Sequence, residues 1–329
     1  MKIAVLGAGA WGTALAVHFC AQHTVSLWAR NPAQIAAMAE QRSNSRYLPG
    51  VELPAELSLT ADLEAAVVWA DVIVVSTPSG AFRDILEAIG RLVLHTPVIW
   101  ACKGFEAGSM KLPHQIAAES LPDSTPRGVL SGPSFAREVA MGLPTALTLA
   151  SNDPALLALA GQLHHHHLRV YTSSDVIGVE LGGALKNVIA IAAGISDGLH
   201  FGYNARAALI SRSLAEMIRL GRHLGGKAET FMGLTGMGDL ILTATSDMSR
   251  NRQVGLKLAT GMNLDTILQE LGHIAEGVTT TREIDRLAQE QGIDMPVVHA
   301  VHQILYQNVA PRIAVETLLS REPKAELAR

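Results

Sequence analysis

The run Ile3–Leu6 enters Gly7-Ala8-Gly9-Ala10-Trp11-Gly12 and leaves as a helical pattern, Thr13–Ala21. No other stretch limits the fold so strongly, because a β-branched run that turns through spaced glycines into a helix starts a βαβ unit. Gly7 permits the tight turn, Gly9 lets the backbone approach a pyrophosphate, and Gly12 allows close helix–strand packing. The phosphates would sit on unsatisfied N–H groups at the helix N-terminus. Lys2 ahead of a long uncharged run imitates a signal peptide, but the glycines interrupt that run and Thr24–Trp28 alternates as a strand.

Up to about Thr172, short β-branched runs alternate with helical patterns. Strands are expected at Ile3–Leu6, Val25–Trp28, Val72–Ser76, Val98–Ala101, Gly128–Leu130, Ala146–Leu149 and Arg169–Tyr171, with amphipathic segments such as Ala81–Leu94 and Pro154–Leu163 between them. That alternation predicts an α/β fold, a Rossmann-type doubly wound, mainly parallel sheet. Beyond Asp175 the strand signals stop. Helical patterns follow at Ala205–Leu224, Asn263–Leu271, Thr279–Gln291 and Val297–Leu305, so a dinucleotide-binding domain over 1–177 and an all-helical substrate domain over 178–329 are expected. The tail Glu322–Arg329 reads as solvated.

With 48% hydrophobic residues the 329-residue chain can build sizeable cores, and a net charge of −4 offers no basic field for nucleic acid or an anionic membrane. Its two cysteines, Cys20 and Cys102, form no framework or metal spacing, which fits a reducing cytoplasm. Other uncharged runs are broken by Gly, Pro or His, so no membrane span is expected. The four histidines His164–His167 read as a polar turn, since neighbouring side chains diverge and rarely converge on one metal. Met232, Met237 and Met248 read as gap-filling core or loop residues.

Several residues stand out chemically. Where an NAD-preferring site carries a carboxylate after its second strand this chain has Arg30, which either faces a 2′-phosphate or is a solvated surface arginine. Cys102-Lys103-Gly104 and Ser131-Gly132-Pro133-Ser134-Phe135-Ala136 follow strands at their carboxyl ends, where open α/β sheets bind ligands. Lys103 there suits a ligand better than a salt bridge. Gly236-Met237-Gly238-Asp239-Leu240 sets one carboxylate among apolar residues and glycines. Ser249-Arg250-Asn251 reads as a helix cap and first turn, either an anion site suited to phosphate or a routine cap with an exposed arginine. Between Glu180 and Asp197 only Lys186 is charged, in a helix that packs tightly on most sides.

With these pieces in order the chain resembles the bacterial NAD(P)-dependent sn-glycerol-3-phosphate dehydrogenases over nearly its whole length. The most specific segment is Gly183-Ala184-Leu185-Lys186-Asn187-Val188-Ile189-Ala190 followed by Gly194, supported by WACKGFE, SGPSFAREVAMGLPTA, GLTGMGDLILTATSDMSRNR and AEG at 275–277. The resemblance implies that Lys186 is the catalytic acid/base, aided by Lys103 and Asp239. It implies that Lys103, Gly132, Ser134, Lys186, Asn187, Asp239, Ser249, Arg250 and Asn251 surround the substrate. Cofactor contacts are implied from Gly7, Gly9, Ala10, Trp11, Gly12, Arg30, Lys103, Ala136, Arg250, Ile274 and Glu276. Ala10 stands where the family often has serine and Cys102 where it often has threonine, which affects local hydrogen bonds.

The implied reaction is reversible reduction of dihydroxyacetone phosphate to sn-glycerol 3-phosphate, supplying the glycerophospholipid backbone. NADPH is expected, with NADH as the alternative, and no metal is needed. Desolvation, Lys103 and Arg250 should lower the pKa of Lys186, while Asp239 opposes this. A homodimer in the cytoplasm is the expected state. Two other functions remain compatible with these motifs: a related Rossmann-plus-helical dehydrogenase of β-hydroxyacids or ketopantoate, and a non-catalytic NADP-sensing protein. The SRN segment disfavours the first. The second would leave Lys103, Lys186 and Asp239 without a task.

Overall fold

The computed structural model describes residues 1–165, 167–271 and 275–320. The tail Glu322–Arg329 and Ile274 therefore lie outside the described residues, as does His166 of the histidine run. The strands are β1 (Lys2–Leu6), β2 (Thr24–Trp28), β3 (Ser43–Asn44), β4 (Leu48–Glu52), β5 (Ser58–Thr60), β6 (Val72–Val75), β7 (Val98–Trp100), β8 (Arg127–Ser131), β9 (Thr145–Ala150) and β10 (Leu168–Ser173). Eight of them form one sheet in the order β10-β9-β8-β7-β6-β1-β2-β5, and β3 pairs with β4 apart from it. Neighbours in the large sheet run parallel except β8 and β9.

Period-two alternation divides the strand residues between two apolar layers. Ile3, Val5, Val72, Val74 and Ile99 join Leu15, Phe19, Leu156 and Leu163 on one face of the sheet. Ala4, Leu6, Ile73, Val75 and Trp100 join Val67, Phe82, Leu86 and Ile116 on the other. Both faces of the parallel region are therefore covered by helices, which is why these strands read as continuous apolar runs. All seven expected strands are present. The hairpin β3–β4 and the edge strand β5 escaped the sequence reading, because Pro49-Gly50 interrupts one and Ser58–Thr60 is too short and polar to signal itself.

After β10 the described residues contain no strand. Helices occupy Val176–Gly198, Gly202–His223, Ala228–Phe231, Asp239–Thr245, Arg250–Ala259, Leu264–Leu271, Glu276–Glu290, Pro296–Tyr306 and Pro311–Leu319. The chain forms two compact units, Met1–Gly183 with Leu224–Asp239, and Ala184–His223 with Leu240–Arg329. Asp175 holds Leu224–Asp239 to the first unit: its carboxylate accepts from Lys227 N at 2.9 Å and Thr230 Oγ1 at 2.5 Å, as well as from Gly178 N at 2.9 Å. Val176–Gly198 is long and apolar enough to cross a membrane, but 94% of its most apolar stretch is buried inside the protein. His165 bridges to Leu168 ahead of β10, and His167 lies in a turn.

Candidate active site

In the first unit the glycine loop departs from β1 as its spacing demands. Gly7 has φ +117°, and a Cβ there would lie 2.8 Å from Ser76 backbone atoms; one on Gly12 would lie 1.9 Å from Gly7 O. Around Gly9, in contrast, no atom lies within 4 Å of where a Cβ would be, leaving that face open. Gly9 is the N-cap of helix Ala10–Phe19 and offers no side-chain bond to the first-turn N–H groups. Two amides hold the loop from behind. Asn44 Nδ2 and Gln34 Nε2 donate to Ala8 O at 3.0 and 2.8 Å. Thr77 Oγ1, beside the loop beyond β6, is buried without a hydrogen-bond partner among the described residues. Open backbone donors and an orphaned hydroxyl fit a dinucleotide phosphate and ribose. Trp11 and Ala10 are half-buried, and Arg30, past the end of β2, is exposed with no ion-pair partner among the described residues.

At the next carboxyl ends, Lys103 Nζ lies 3.0 Å from Asp239 Oδ2; the lysine side chain is 19% exposed and the carboxylate fully buried. The expectation that Lys103 suits a ligand better than a salt bridge is corrected: it makes one. A carboxylate without access to water requires a cation, and Lys103 remains open enough to touch a second group. Asp239 is delivered by a π-helical turn, Leu234–Gly238, packed so closely that a Cβ on Gly236 would meet Phe231 O at 2.1 Å. Beyond β8, Gly132 has φ +147°, Ser134 Oγ donates to Gly132 O at 3.1 Å, and Ala136 opens helix Ala136–Ala140. Ser131, quoted in the sequence analysis as the head of its segment, was given no role of its own there. Its buried Oγ has no hydrogen-bond partner among the described residues, and a Cβ on Gly183 would lie 3.0 Å from it and 3.7 Å from Lys103 Cδ. Sequence carries one signal for it, a serine directly before the glycine at a strand end.

The first unit holds another buried carboxylate. Glu180 accepts from Trp100 Nε1 at 2.8 Å and His114 N at 2.9 Å, and lies 2.6 Å from His114 Nδ1. Burial pushes the Glu180 carboxyl up, against the bonds from His114 and Trp100.

In the second unit Lys186 is 6% exposed, the only buried lysine among the described residues. Its neighbour Asn187 accepts from Asn251 Nδ2 at 3.0 Å, and Asn251 Oδ1 accepts from Gly277 N at 3.1 Å. That chain of bonds brings the KN, SRN and AEG motifs together. Ser249 caps helix Arg250–Ala259 through Arg252 N at 3.3 Å. Arg252 is buried and pairs with Asp197 at 2.7 Å and Asp247 at 2.6 Å, whereas Arg250 is exposed and engaged by no ion pair among the described residues. Of the two arginines, then, only Arg250 is available to an anion at this helix N-terminus. Glu276, half-buried, begins helix Glu276–Glu290.

Comparison with known proteins gives one answer. Profiles described as the NAD-dependent glycerol-3-phosphate dehydrogenase N-terminus and C-terminus match residues 2–157 and 175–316. The glycerol-3-phosphate dehydrogenase [NAD(P)+] of Thiobacillus denitrificans is 57% identical over 99% of this chain and 100% of its own length. That of Aromatoleum aromaticum is 56% identical, again over 99% and 100%. A crystal structure of glycerol-3-phosphate dehydrogenase from Coxiella burnetii superposes with a TM-score of 0.93 at 43% identity, covering 97% of this chain and 99% of that one.

Proposed function

Since the chain belongs to the NAD-dependent glycerol-3-phosphate dehydrogenase family, we propose that Lys186 is the proton donor and acceptor of its reaction. The protein is an NAD(P)-dependent oxidoreductase that reversibly reduces dihydroxyacetone phosphate to sn-glycerol 3-phosphate. NAD(P)H, when bound, would supply the hydride for reduction of the substrate carbonyl. Lys186 gives its proton to the carbonyl oxygen as negative charge develops there, and takes it back in oxidation. Lys103 polarises that oxygen or steadies the substrate, and Asp239 holds Lys103 in place. Arg250, with Ser249 and Asn251 in the first turn of its helix, binds the phosphate. Gly132, Ser134 and Asn187 complete the substrate contacts. Gly7 to Gly12, Arg30, Ala136 and Glu276 contact the cofactor, as would Ile274. Residues 1–177 thus supply most of the cofactor contacts and 178–329 most of the substrate contacts, with Lys103, Gly132 and Ser134 reaching the substrate from the first and Ile274 and Glu276 the cofactor from the second. NADPH is preferred over NADH, and the enzyme acts as a cytoplasmic homodimer.

The burial of Lys186 carries this reading, because a lysine is rarely held out of water without a specific task or partner for its ammonium group. Lys186→Met preserves volume and removes the exchangeable proton. Turnover with dihydroxyacetone phosphate, followed by NADPH absorbance, is expected to fall by ~10²–10⁴ while NADPH affinity changes little. A variant that keeps more than half its turnover would sink the assignment. Unphosphorylated dihydroxyacetone serves as the comparison substrate and is expected to be a poor one.

A further inference from the structure

In the second unit, helix Glu276–Glu290 is joined to helix Pro296–Tyr306 by residues 291–295, and the two carry three side chains that converge. His299 and His302 are three positions apart on one helix face, with stacked rings 6.4 Å apart and 19° between their planes. Opposite them stands Asp285, 2% exposed. His299 Nδ1 lies 2.9 Å from Asp285 Oδ1, and His302 Nδ1 lies 3.2 Å from Oδ2. Gln289 Nε2 donates to Oδ2 at 2.8 Å and fixes the carboxylate. One ligand atom from each of the three residues lies within 4.8 Å of the others.

A carboxylate bridging two protonated histidines is the ordinary explanation, and His302 does not fit it. Its Nδ1 is buried and, although 3.2 Å from Asp285 Oδ2, makes no hydrogen bond among the described residues. Two imidazole nitrogens and a buried carboxylate oxygen, brought within 4.8 Å of one another, make a donor set for a borderline divalent ion.

We propose that Asp285, His299 and His302 form an accessory site for Zn²⁺ or a similar first-row divalent ion, which staples these two helices and takes no part in hydride transfer. A tetrahedral ion about 2.0–2.2 Å from each ligand needs ligand atoms ~3.3–3.6 Å apart, which side-chain shifts from the present separations of up to 4.8 Å can reach. Gln289 supplies the outer bond that orients the carboxylate. His299, 44% exposed, gives the ion an entry path and leaves a fourth position for water. Arg282, whose guanidinium stacks on Tyr306 at 4.4 Å, is the opposing charge and limits the affinity.

The test uses full-length protein stripped with EDTA, with His164–His167 replaced by glutamine so that the histidine run cannot bind metal itself. Calorimetric titration with Zn²⁺ is expected to show one equivalent bound in the micromolar range, with a rise in Tm and unchanged turnover. Co²⁺ is expected to give visible absorption bands of a four-coordinate site. His302→Gln and Asp285→Asn are expected to weaken Zn²⁺ binding by about 10- to 100-fold or more. His299→Gln, at a half-exposed position, gives the same reading if the buried variants fold poorly. Absence of saturable binding, or affinity unmoved by His299→Gln and His302→Gln, would overturn the site.

Discussion

Arg252 is committed to Asp197 and Asp247, while Arg250, two positions earlier, reaches solvent. A helix turns by about 100° per residue, so residues two apart face nearly opposite sides, and only the buried side can force a guanidinium into ion pairs. Arg30 is a similar case: exposed after β2 and unpaired among the described residues, it is free to meet a 2′-phosphate. Arg30→Asp replaces that attraction by repulsion and adds an acceptor for the ribose hydroxyls of NADH. The kcat/KM ratio for NADPH over NADH is expected to drop below that of wild type, and further than in Arg30→Ala. The gap should shrink as salt rises, because exposed charges are screened within about 10 Å at 0.1 M. An unchanged ratio in Arg30→Asp would make Arg30 a surface residue and place cofactor choice elsewhere.

Helix Val176–Gly198 and helix Arg250–Ala259 meet backbone to backbone. A Cβ on Gly255 would lie 2.0 Å from Ile191 O and 2.7 Å from Ile195 N, and one on Gly194 would lie 2.1 Å from Arg252 O. The glycines set the register: Asn187 stands two turns before Gly194 and Asn251 one turn before Gly255, which lets their amides bond at 3.0 Å. Gly255→Ala must push the helices apart or bend one of them. A loss of at least ~3 kcal/mol is expected from denaturant unfolding, beyond what helix propensity would return. If alanine were tolerated within about 1 kcal/mol, the helices would be freer to separate than this contact implies.

Across the whole molecule, buried carboxylates set how stability responds to pH. Glu216 receives Val297 N on both oxygens, at 3.0 and 3.1 Å, at the start of helix Pro296–Tyr306, and burial raises its pKa from 4.5 to about 7. Arg212 and Arg219 oppose that rise. Because the folded state holds this proton more tightly than the unfolded one, stability is highest below pH 4.5 for this group and falls as pH rises towards 7, by about 3 kcal/mol in all. Glu180, also raised by burial, acts in the same direction. Glu216→Gln keeps an acceptor for Val297 N without a charge. Urea unfolding between pH 5 and pH 8 is expected to give a flatter profile for the variant than for wild type; parallel profiles would show that Glu216 ionises normally when folded.

Local chemistry was enough to read seven of the ten described strands, the glycine loop, the Ser249 cap and the change to an all-helical second half, because each depends on neighbours a few residues away. Lys186 stood out for the same reason, as a lone charge in an apolar helix. Partnerships between distant residues carry no such local trace. The pairing of Lys103 with Asp239 across 136 positions, the return of Leu224–Asp239 to the first unit through Asp175, and the assignment of Arg252 rather than Arg250 to the interior were decided by tertiary packing. So was the meeting of Asn187, Asn251 and Gly277. The physical reason is burial: a charge or amide excluded from water must find a partner, and only the folded chain determines which group is within reach.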